Sequence, residues 1–322
     1  MTADPPPVGT PAGVAPARHL AVVGVTASGK SALALALARG RPDVELVSID
    51  SMQVYRGMDI GTAKPTPAEQ AEVPHHLIDL ADPDDDFTVT RFQAAFRDAL
   101  AGIDARGHRA VLVGGTGLYL RAVVDDLDIP GQYPEVRAEL EAVAPEDDPA
   151  AVPALHERLA ALDPVAAARM EPTNRRRIIR ALEVTLGSGR PFSSHGPGLD
   201  AYPPTPFAMV GLRLPAEVTA ERIAARYEAQ LAAGFVDEVR RLAARPGGLS
   251  RTARQALGYR ELLAHVEDGL PLDEAVDQAV AATRRFARRQ RSWFRRDPRI
   301  RWVDADEGRN LEVLLRDWYG CS

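Results

Sequence analysis

Leu20-Ala21-Val22-Val23-Gly24-Val25-Thr26-Ala27-Ser28-Gly29-Lys30-Ser31 is the stretch on which the fold turns. From Gly24 onward it matches G-x-x-x-x-G-K-[ST] at every fixed position. The apolar run before Gly24 reads as a buried strand. Ala32 to Ala38 alternates Ala and Leu. Period alone allows a strand there, but both are strong helix formers without a β-branch, so the run reads as a helix. Strand, glycine loop and helix in that order is the context the motif requires. Gly24 and Gly29 permit backbone angles that turn several N–H groups toward one anion. The helix adds its positive N-terminal end, Lys30 a charge, and Ser31 a hydroxyl for a magnesium ion. Gly24, Thr26, Ala27, Ser28, Gly29, Lys30 and Ser31 thus form the candidate phosphate site, with Ser31 the candidate metal ligand. Which phosphorylated compound it takes stays open at this level.

Working outward, Val44 to Ile49 is a second β-rich run and ends at Asp50. Residues 51–86 carry much Gly, Pro and Asp with little periodicity, and read as a long irregular connection. Thr88 to Arg106 repeats apolar residues at three and four, as a helix does. Ala110 to Val113 is a third buried strand, followed by Gly114-Gly115-Thr116-Gly117. This alternation predicts an α/β fold: a phosphate-loop (P-loop) core of parallel strands with helices on both faces. Residues 134–187 contain no strand-like run and are broken at Pro145, Pro149, Pro153 and Pro164. They predict a small all-helical insertion domain over 130–206, closed by a Gly/Pro/Ser-rich stretch. Phe207 to Leu214 reads as a returning strand. Ala216 to Ala244 reads as two helices meeting near Gly234. The remainder is helical and basic to about Arg296, and Arg299 to Val303 is a candidate last strand. The expected core is therefore 19–129 with 207–322, and residues 1–18 are expected to be a disordered tail.

The chain has 322 residues and a formal charge of -6, so it is not broadly basic. Cys321 is its only cysteine, which excludes an internal disulfide and a Cys/His zinc cluster. No apolar run approaches the roughly 18 residues of a membrane span. The first residues lack the charged start and apolar core of a secretory signal. A soluble, cytoplasmic monomer with no membrane partner is expected. The adjacent His75-His76 pair diverges in most backbones and reads as ordinary loop.

Asp50 ends a strand beside the expected ligand crevice. There it suits a magnesium ligand through water, a general base, or a turn residue. Thr116 is equally open between a site hydroxyl and a turn residue. The string Ser51-Met52-Gln53-Val54-Tyr55-Arg56-Gly57-Met58-Asp59-Ile60-Gly61-Thr62-Ala63-Lys64-Pro65 is rich in hydrogen-bonding and charged groups suited to a base or a phosphate. Two arginine clusters stand out against the acidic total. One holds Arg175, Arg176, Arg177 and Arg180. The other holds Arg284, Arg285, Arg288, Arg289, Arg291, Arg295 and Arg296. On a helix 284, 288, 291 and 295 share a face, a stripe suited to RNA phosphates.

These strings together resemble the tRNA dimethylallyltransferases, also called tRNA isopentenyltransferases. The resemblance rests on the phosphate loop, on Asp50-Ser51 with Gln53, and on Tyr55-Arg56-Gly57 and Ile60 to Pro65. It continues through Gly114 to Tyr119, Asn174 with Arg177, Arg180 to Val184, Gln255 to Glu261, Arg289-Gln290 and Trp293-Phe294-Arg295. It spans about residues 20–300. Val25 departs from it, since bacterial members often have Pro there. The resemblance implies transfer of a dimethylallyl group from its diphosphate to the exocyclic amine of the adenosine 3′ of the anticodon, with Mg2+ as cofactor. It implies that the phosphate loop and Lys30 hold the diphosphate, that Asp50 is the general base, and that Thr116 orients a reactant. It implies tRNA contacts at Asp50, Ser51, Met52, Gln53, Arg137, Arg176, Arg177, Arg180, Gln255, Gly258, Tyr259 and Arg260. Arg284 and Arg288 join these from the basic stripe. The motif itself also suits a small-molecule kinase, an isopentenyltransferase of free adenine nucleotides, or an RNA-binding module with a relic phosphate loop. The first leaves the Asp50–Pro65 string unused, and the second needs no arginine stripe. The third leaves Lys30, Ser31 and Asp50 without a role.

Overall fold

The computed structural model describes residues 17–196, 198–305 and 307–320. The expected tail at 1–18 and Cys321 therefore lie outside them, except for Ala17 and Arg18. Arg18 is anchored, donating from Nε and Nη2 to the His108 carbonyl at 3.2 and 3.0 Å. The chain divides into two compact units, one built from the chain up to Leu120 and from Pro204 onward, the other from Arg121–Pro203.

The first unit is organised on six parallel strands: β1 (His19–Gly24), β2 (Val44–Ile49), β3 (His75–His76), β4 (Arg109–Gly114), β5 (Phe207–Arg213) and β6 (Arg301–Asp304). Their order across the sheet is β3-β2-β4-β1-β5-β6. β1 and β2 are buried along their whole length. That explains why they read as unbroken apolar runs rather than alternating ones. The helices are α1 (Lys30–Ala38), α2 (Pro67–Glu72), α3 (Val89–Ala105), α4 (Gly117–Val124), then α5 to α8 of the second unit. After these come α9 (Ala216–Ala232), α10 (Phe235–Ala243), α11 (Arg251–Arg254), α12 (Tyr259–Asp268), α13 (Leu272–Phe294) and α14 (Glu307–Leu314). One face of the sheet is closed by α1 and the C-terminal helical segment, where Leu33, Leu37, Leu314 and Trp318 meet Leu20, Val22, Leu46, Val111 and Val210. α3 lies along β4 and α13 along β1.

The register decides where the loops emerge. Ile49 pairs with Gly114, Val23 with Gly114, and Gly24 with Leu212. The chain after β1, after β2 and after β4 therefore leaves the sheet at one level. β4 lies between the other two, so Thr116 issues between the phosphate loop and Asp50. Gly114 makes this packing possible, because a Cβ there would stand 2.1 Å from the Ile49 carbonyl oxygen.

Two expectations are corrected here. His75-His76 is not loop but a short strand added to the edge beside β2. Residues 51–86 are not wholly irregular either, since they contain α2. Its start has a signal in sequence: Pro67 leads the helix, Thr66 accepts from the Glu69 amide at 3.3 Å, and the Glu69 carboxylate accepts from the Thr66 amide at 2.7 Å.

The second unit packs α5 (Pro134–Val143), α6 (Val152–Leu162), α7 (Pro164–Ala168) and α8 (Arg175–Ser188) around Leu140, Leu155, Leu159, Ile178 and Leu182. Pro134, Pro153 and Pro164 sit in first turns rather than inside helices, where the missing N–H costs nothing. The return stretch is tied down. Arg121, buried beside its ion-pair partner Asp125, donates to the Leu199 and Ala201 carbonyls at 2.8 and 2.5 Å. Its guanidinium also lies 4.4 Å from the centre of the Tyr202 ring.

Candidate active site

The phosphate loop folds as its glycines predict. Gly29 sits at φ 89° and caps α1, while Ala27 takes φ 62°. Ala27, Gly29, Lys30 and Ser31 donate no backbone hydrogen bond among the described residues, so their N–H groups remain for an anion. The loop's other groups are spent within the protein. The Ser28 amide donates to the Val25 carbonyl at 3.3 Å. The Ser28 hydroxyl has no hydrogen-bond partner among the described residues; it is buried and packs under the loop against Gly24. Lys30 Nζ donates to the Val25 carbonyl at 3.2 Å. Burial and the nearby Arg226 guanidinium hold its ammonium down to about 8, against a partial upward pull from Asp50. A second positive group already faces the same space, so the loop is short of negative charge.

Asp50 follows β2 and combines two of its possible roles. Its Oδ1 accepts from the Met52 amide at 2.8 Å and the Gln53 amide at 3.4 Å, which is turn chemistry. Its Oδ2 makes no hydrogen bond among the described residues and is left for a reactant. Thr116 hydrogen-bonds to the β2 end through both its amide and its hydroxyl. The amide donates to the Ile49 carbonyl at 3.4 Å, and the hydroxyl accepts from the Ser51 amide at 3.3 Å. Asp50 and Thr116 are thus locked to one short segment of backbone. Both line a cavity of about 540 Å3, together with Thr26, Lys30, Ser31 and Arg226. The hydroxyl of Ser31 and the carboxylate of Asp50 are hard oxygen donors of the kind magnesium takes. Among the described residues no set of three or more acidic, His or Cys side chains forms a metal cage. That fits an ion held by one or two protein oxygens and mainly by its ligand's phosphates.

Residues from the C-terminal helices complete the site: Arg226 and Glu238 lie outside the motifs read above, and Gln290 belongs to one of them that assigned it no site role. Arg226 on α9 donates to the Thr26 hydroxyl at 3.0 Å and reaches the Gly61 carbonyl at 3.5 Å. Gln290 on α13 accepts from the Thr26 amide and donates to the Gly115 carbonyl, both at 2.8 Å. Glu238 on α10 is 2% exposed and organises the Asp59–Gly61 backbone. Its carboxylate accepts from the amides of Asp59, Ile60 and Gly61 at 3.1, 2.8 and 3.2 Å. It also accepts from the Tyr259 hydroxyl at 2.6 Å. A signal for two of these existed in the sequence. Gln290 interrupts the core-facing stripe Thr283–Ala287–Phe294 at helical spacing, and Arg226 borders the stripe Ile223–Tyr227–Gln230, three residues after Ile223 and four before Gln230.

The remaining candidates divide by exposure. Ser51 and Met52 line the cavity. Gln53 lines it as well, but both ends of its amide are occupied: Oε1 accepts from the Ser48 hydroxyl at 2.8 Å and Nε2 donates to the Thr62 carbonyl at 3.1 Å. Lys64 of the same string is 9% exposed and is pinned by the Tyr55 carbonyl and by Asp59 and Asp79, at 2.7, 2.6 and 2.6 Å. Tyr259 is 1% exposed, its ring edge-on to Phe235, and Gly258 is buried with it. Burial and the Glu238 carboxylate push the Tyr259 phenol well up, keeping it a donor. These two residues support the cavity wall, and the exposed Gln255 and Arg260 stand at its surface. Of the basic stripe, Arg284 reaches back to the Ala220 carbonyl at 3.4 Å and Arg291 to the Leu214 carbonyl at 3.2 Å. Arg288 is exposed on the same helix. The arginine that α13 presents to the cavity is Arg289, 5.7 Å from the centre of the Phe286 ring. In the second unit Arg176 and Arg177 are exposed. Arg137 and Arg180 instead flank the buried Glu183, at 3.6 and 2.6 Å.

Comparison with known proteins gives a consistent result. A family model described as IPP transferase matches residues 53–297. A Kineococcus radiotolerans protein named tRNA dimethylallyltransferase is 51% identical over 303 residues, covering 92% of this chain and 94% of its own. A Streptomyces coelicolor protein of the same name is 48% identical over 296 residues, covering 92% and 93%. Among solved structures, the full-length tRNA isopentenylpyrophosphate transferase of Bacillus halodurans superposes with a TM-score of 0.67 at 37% identity. That match covers 93% of this chain and 95% of the other.

Proposed function

This chain belongs to the IPP transferase family, and on that premise we propose that it transfers a dimethylallyl group from dimethylallyl diphosphate to tRNA. The acceptor is the exocyclic amine of the adenosine 3′ of the anticodon. The observation that carries the reading is the level exit of three loops from β1, β2 and β4. It gathers anion donors, a carboxylate oxygen and a hydroxyl around one cavity.

The chemistry follows from these groups. The diphosphate lies against the free N–H groups of the phosphate loop, with Lys30 and Arg226 supplying charge. The amine nitrogen attacks the carbon bonded to the diphosphate oxygen. The carbon–oxygen bond breaks, and its electron pair leaves with the diphosphate, where the loop's donors stabilise it. The exocyclic amine is a weak nucleophile because its lone pair is delocalised into the ring. Asp50 Oδ2 takes the proton that nitrogen sheds as the new bond forms, while Oδ1 stays in its turn. Thr116 fixes the amine or the diphosphate beside that oxygen. The Ser31 hydroxyl is the residue that would hold a Mg2+ ion, which when bound would supply further charge neutralisation to the leaving diphosphate.

The adenine must leave its stack, which costs little in a single-stranded loop. Exposed arginines, Arg176 and Arg177 in the second unit and Arg285, Arg288 and Arg289 on α13, hold the surrounding phosphates. Such a substrate puts the enzyme to work in the cytoplasm, and no helix of the described residues is long and apolar enough to cross a membrane. The test is incubation with dimethylallyl diphosphate, Mg2+ and unmodified tRNA, followed by digestion and mass analysis of the nucleosides. Adenosine with one hydrogen replaced by a dimethylallyl group is expected. No such product rejects the reading. Product on a free nucleotide but not on tRNA indicates a different acceptor.

A further inference from the structure

We infer that Gln290 is a positioning residue that sets the phosphate loop against the Thr116 loop, and so sets the diphosphate against the base that attacks it. The inference rests on the proposed reaction but is read out first on diphosphate binding. Gln290 lies in the buried stripe of α13 and is 5% exposed. Its amide joins two loops far apart in sequence, the Thr26 N–H on one side and the Gly115 carbonyl on the other, each at 2.8 Å. The amide has one workable orientation. Turned over, its NH2 would oppose the Thr26 N–H and its oxygen the Gly115 carbonyl.

A second observation, independent of those bonds, points to the same device. A Cβ on Gly115 would stand 2.3 Å from Gln290 Nε2, so the loop has given up a side chain at the place this amide occupies. Gly115 is not at positive φ, so backbone conformation does not demand the glycine. Three residues on, Trp293 seats on Gly117 in the same way, its Nε1 2.2 Å from where a Cβ would be. α13 therefore grips the turn that carries Thr116 on both sides. Gln290 also occupies the backbone N–H of Thr26, within the phosphate loop. Thr26 is then fixed at its amide by Gln290 and at its hydroxyl by Arg226, at 3.0 Å. Through Gln290 the Thr26 end of the phosphate loop, which also carries Arg226 on its hydroxyl, is tied to the loop that carries Thr116.

The experiment compares Gln290→Met, Gly115→Ala and the double variant with the unaltered protein. Inorganic diphosphate with Mg2+ is titrated calorimetrically, tRNA binding is measured separately, and kcat and KM are determined for both substrates. Gln290→Met removes both hydrogen bonds at similar volume, and Gly115→Ala expels the amide without touching Gln290. Each is expected to weaken diphosphate binding by about tenfold and to lower kcat by about a hundredfold, with tRNA affinity kept within about twofold. The double variant is expected to be no worse than either single one, because both break the same link. Diphosphate affinity and turnover kept within about twofold in either single variant overturns the inference. So does an additive double variant, or an equal loss of tRNA and diphosphate affinity, which would mean general displacement of α13. If the unaltered protein binds diphosphate but prenylates no tRNA, the proposed function fails while the diphosphate comparison still judges Gln290.

Discussion

The depressed ammonium of Lys30 predicts how diphosphate binding responds to pH. In the free protein, burial and the Arg226 guanidinium hold that group down to about 8 from an ordinary 10.5. A diphosphate placed on the loop brings negative charge to both cations and raises the value again, with the ordinary 10.5 as the upper limit. Between the two values, binding takes up a proton, so affinity falls as pH rises. With limits of about 8 and about 10.5, affinity is nearly flat from pH 6.5 to 7.5, about tenfold weaker at pH 9, and about 300-fold weaker at the limit. The unliganded fold shows the opposite trend. The unfolded chain keeps this proton to about 10.5 and the folded one only to about 8, so charged Lys30 opposes folding below pH 8 and the penalty fades above it. The assay is calorimetric titration of inorganic diphosphate with Mg2+ from pH 6.5 to 9.5. The ligand ionises in the same range, so the informative quantity is the affinity ratio of the unaltered protein to Lys30→Met. A ratio that bends downward near pH 8 is expected. A ratio constant from pH 7 to pH 9 would refute the argument, because Lys30 would then carry the same charge in both states.

Asp50→Asn keeps an oxygen for the Met52 and Gln53 amides but removes the base, so kcat should fall by about 10²–10⁴ with diphosphate affinity intact. Single-turnover kinetics beside a binding titration checks this, and unchanged turnover removes Asp50 from the base role. Arg177→Ala should weaken tRNA binding and reduce the slope of affinity against salt by about one, without changing thermal stability. Arg180→Ala should do the reverse, costing about 3 kcal/mol by stripping the buried Glu183 of its closest ion-pair partner, as read from denaturant unfolding. Glu238→Ala orphans the Asp59, Ile60 and Gly61 amides and the Tyr259 hydroxyl, for a cost of about 4 kcal/mol. It should also raise the KM for dimethylallyl diphosphate, since Arg226 leans on the Gly61 carbonyl.

Much of the core could be read from the chain because its signals are local. A phosphate loop is a matter of which residues accept positive φ and where a helix starts, and both are settled within Gly24 to Ser31. Buried parallel strands announce themselves as apolar runs. α2 and β3 were not read because six residues and two residues are too short for periodicity to speak. Only the Thr66–Glu69 cap marked the first of them. The arginine stripe shows a different limit. Helical spacing correctly groups 284, 288, 291 and 295, but it cannot say which way the group points. Arg284 and Arg291 reach back to the α9 end, and Arg289 meets the cavity.

The sequence by itself therefore determined a phosphate-binding α/β core, the emergence of Asp50 and Thr116 at strand ends, and the family to which these motifs belong. The tertiary structure alone decided which distant side chains complete the site. Gln290 meets Thr26 across 264 residues, and Arg226 meets it across 200. The physical reason is that a helix's sequence encodes which residues share a face, while the partner of that face is set by how the helix docks on the sheet. A polar residue in an apolar stripe signals that a partner exists, and the packing of α9 and α13 settles that this partner is the phosphate loop.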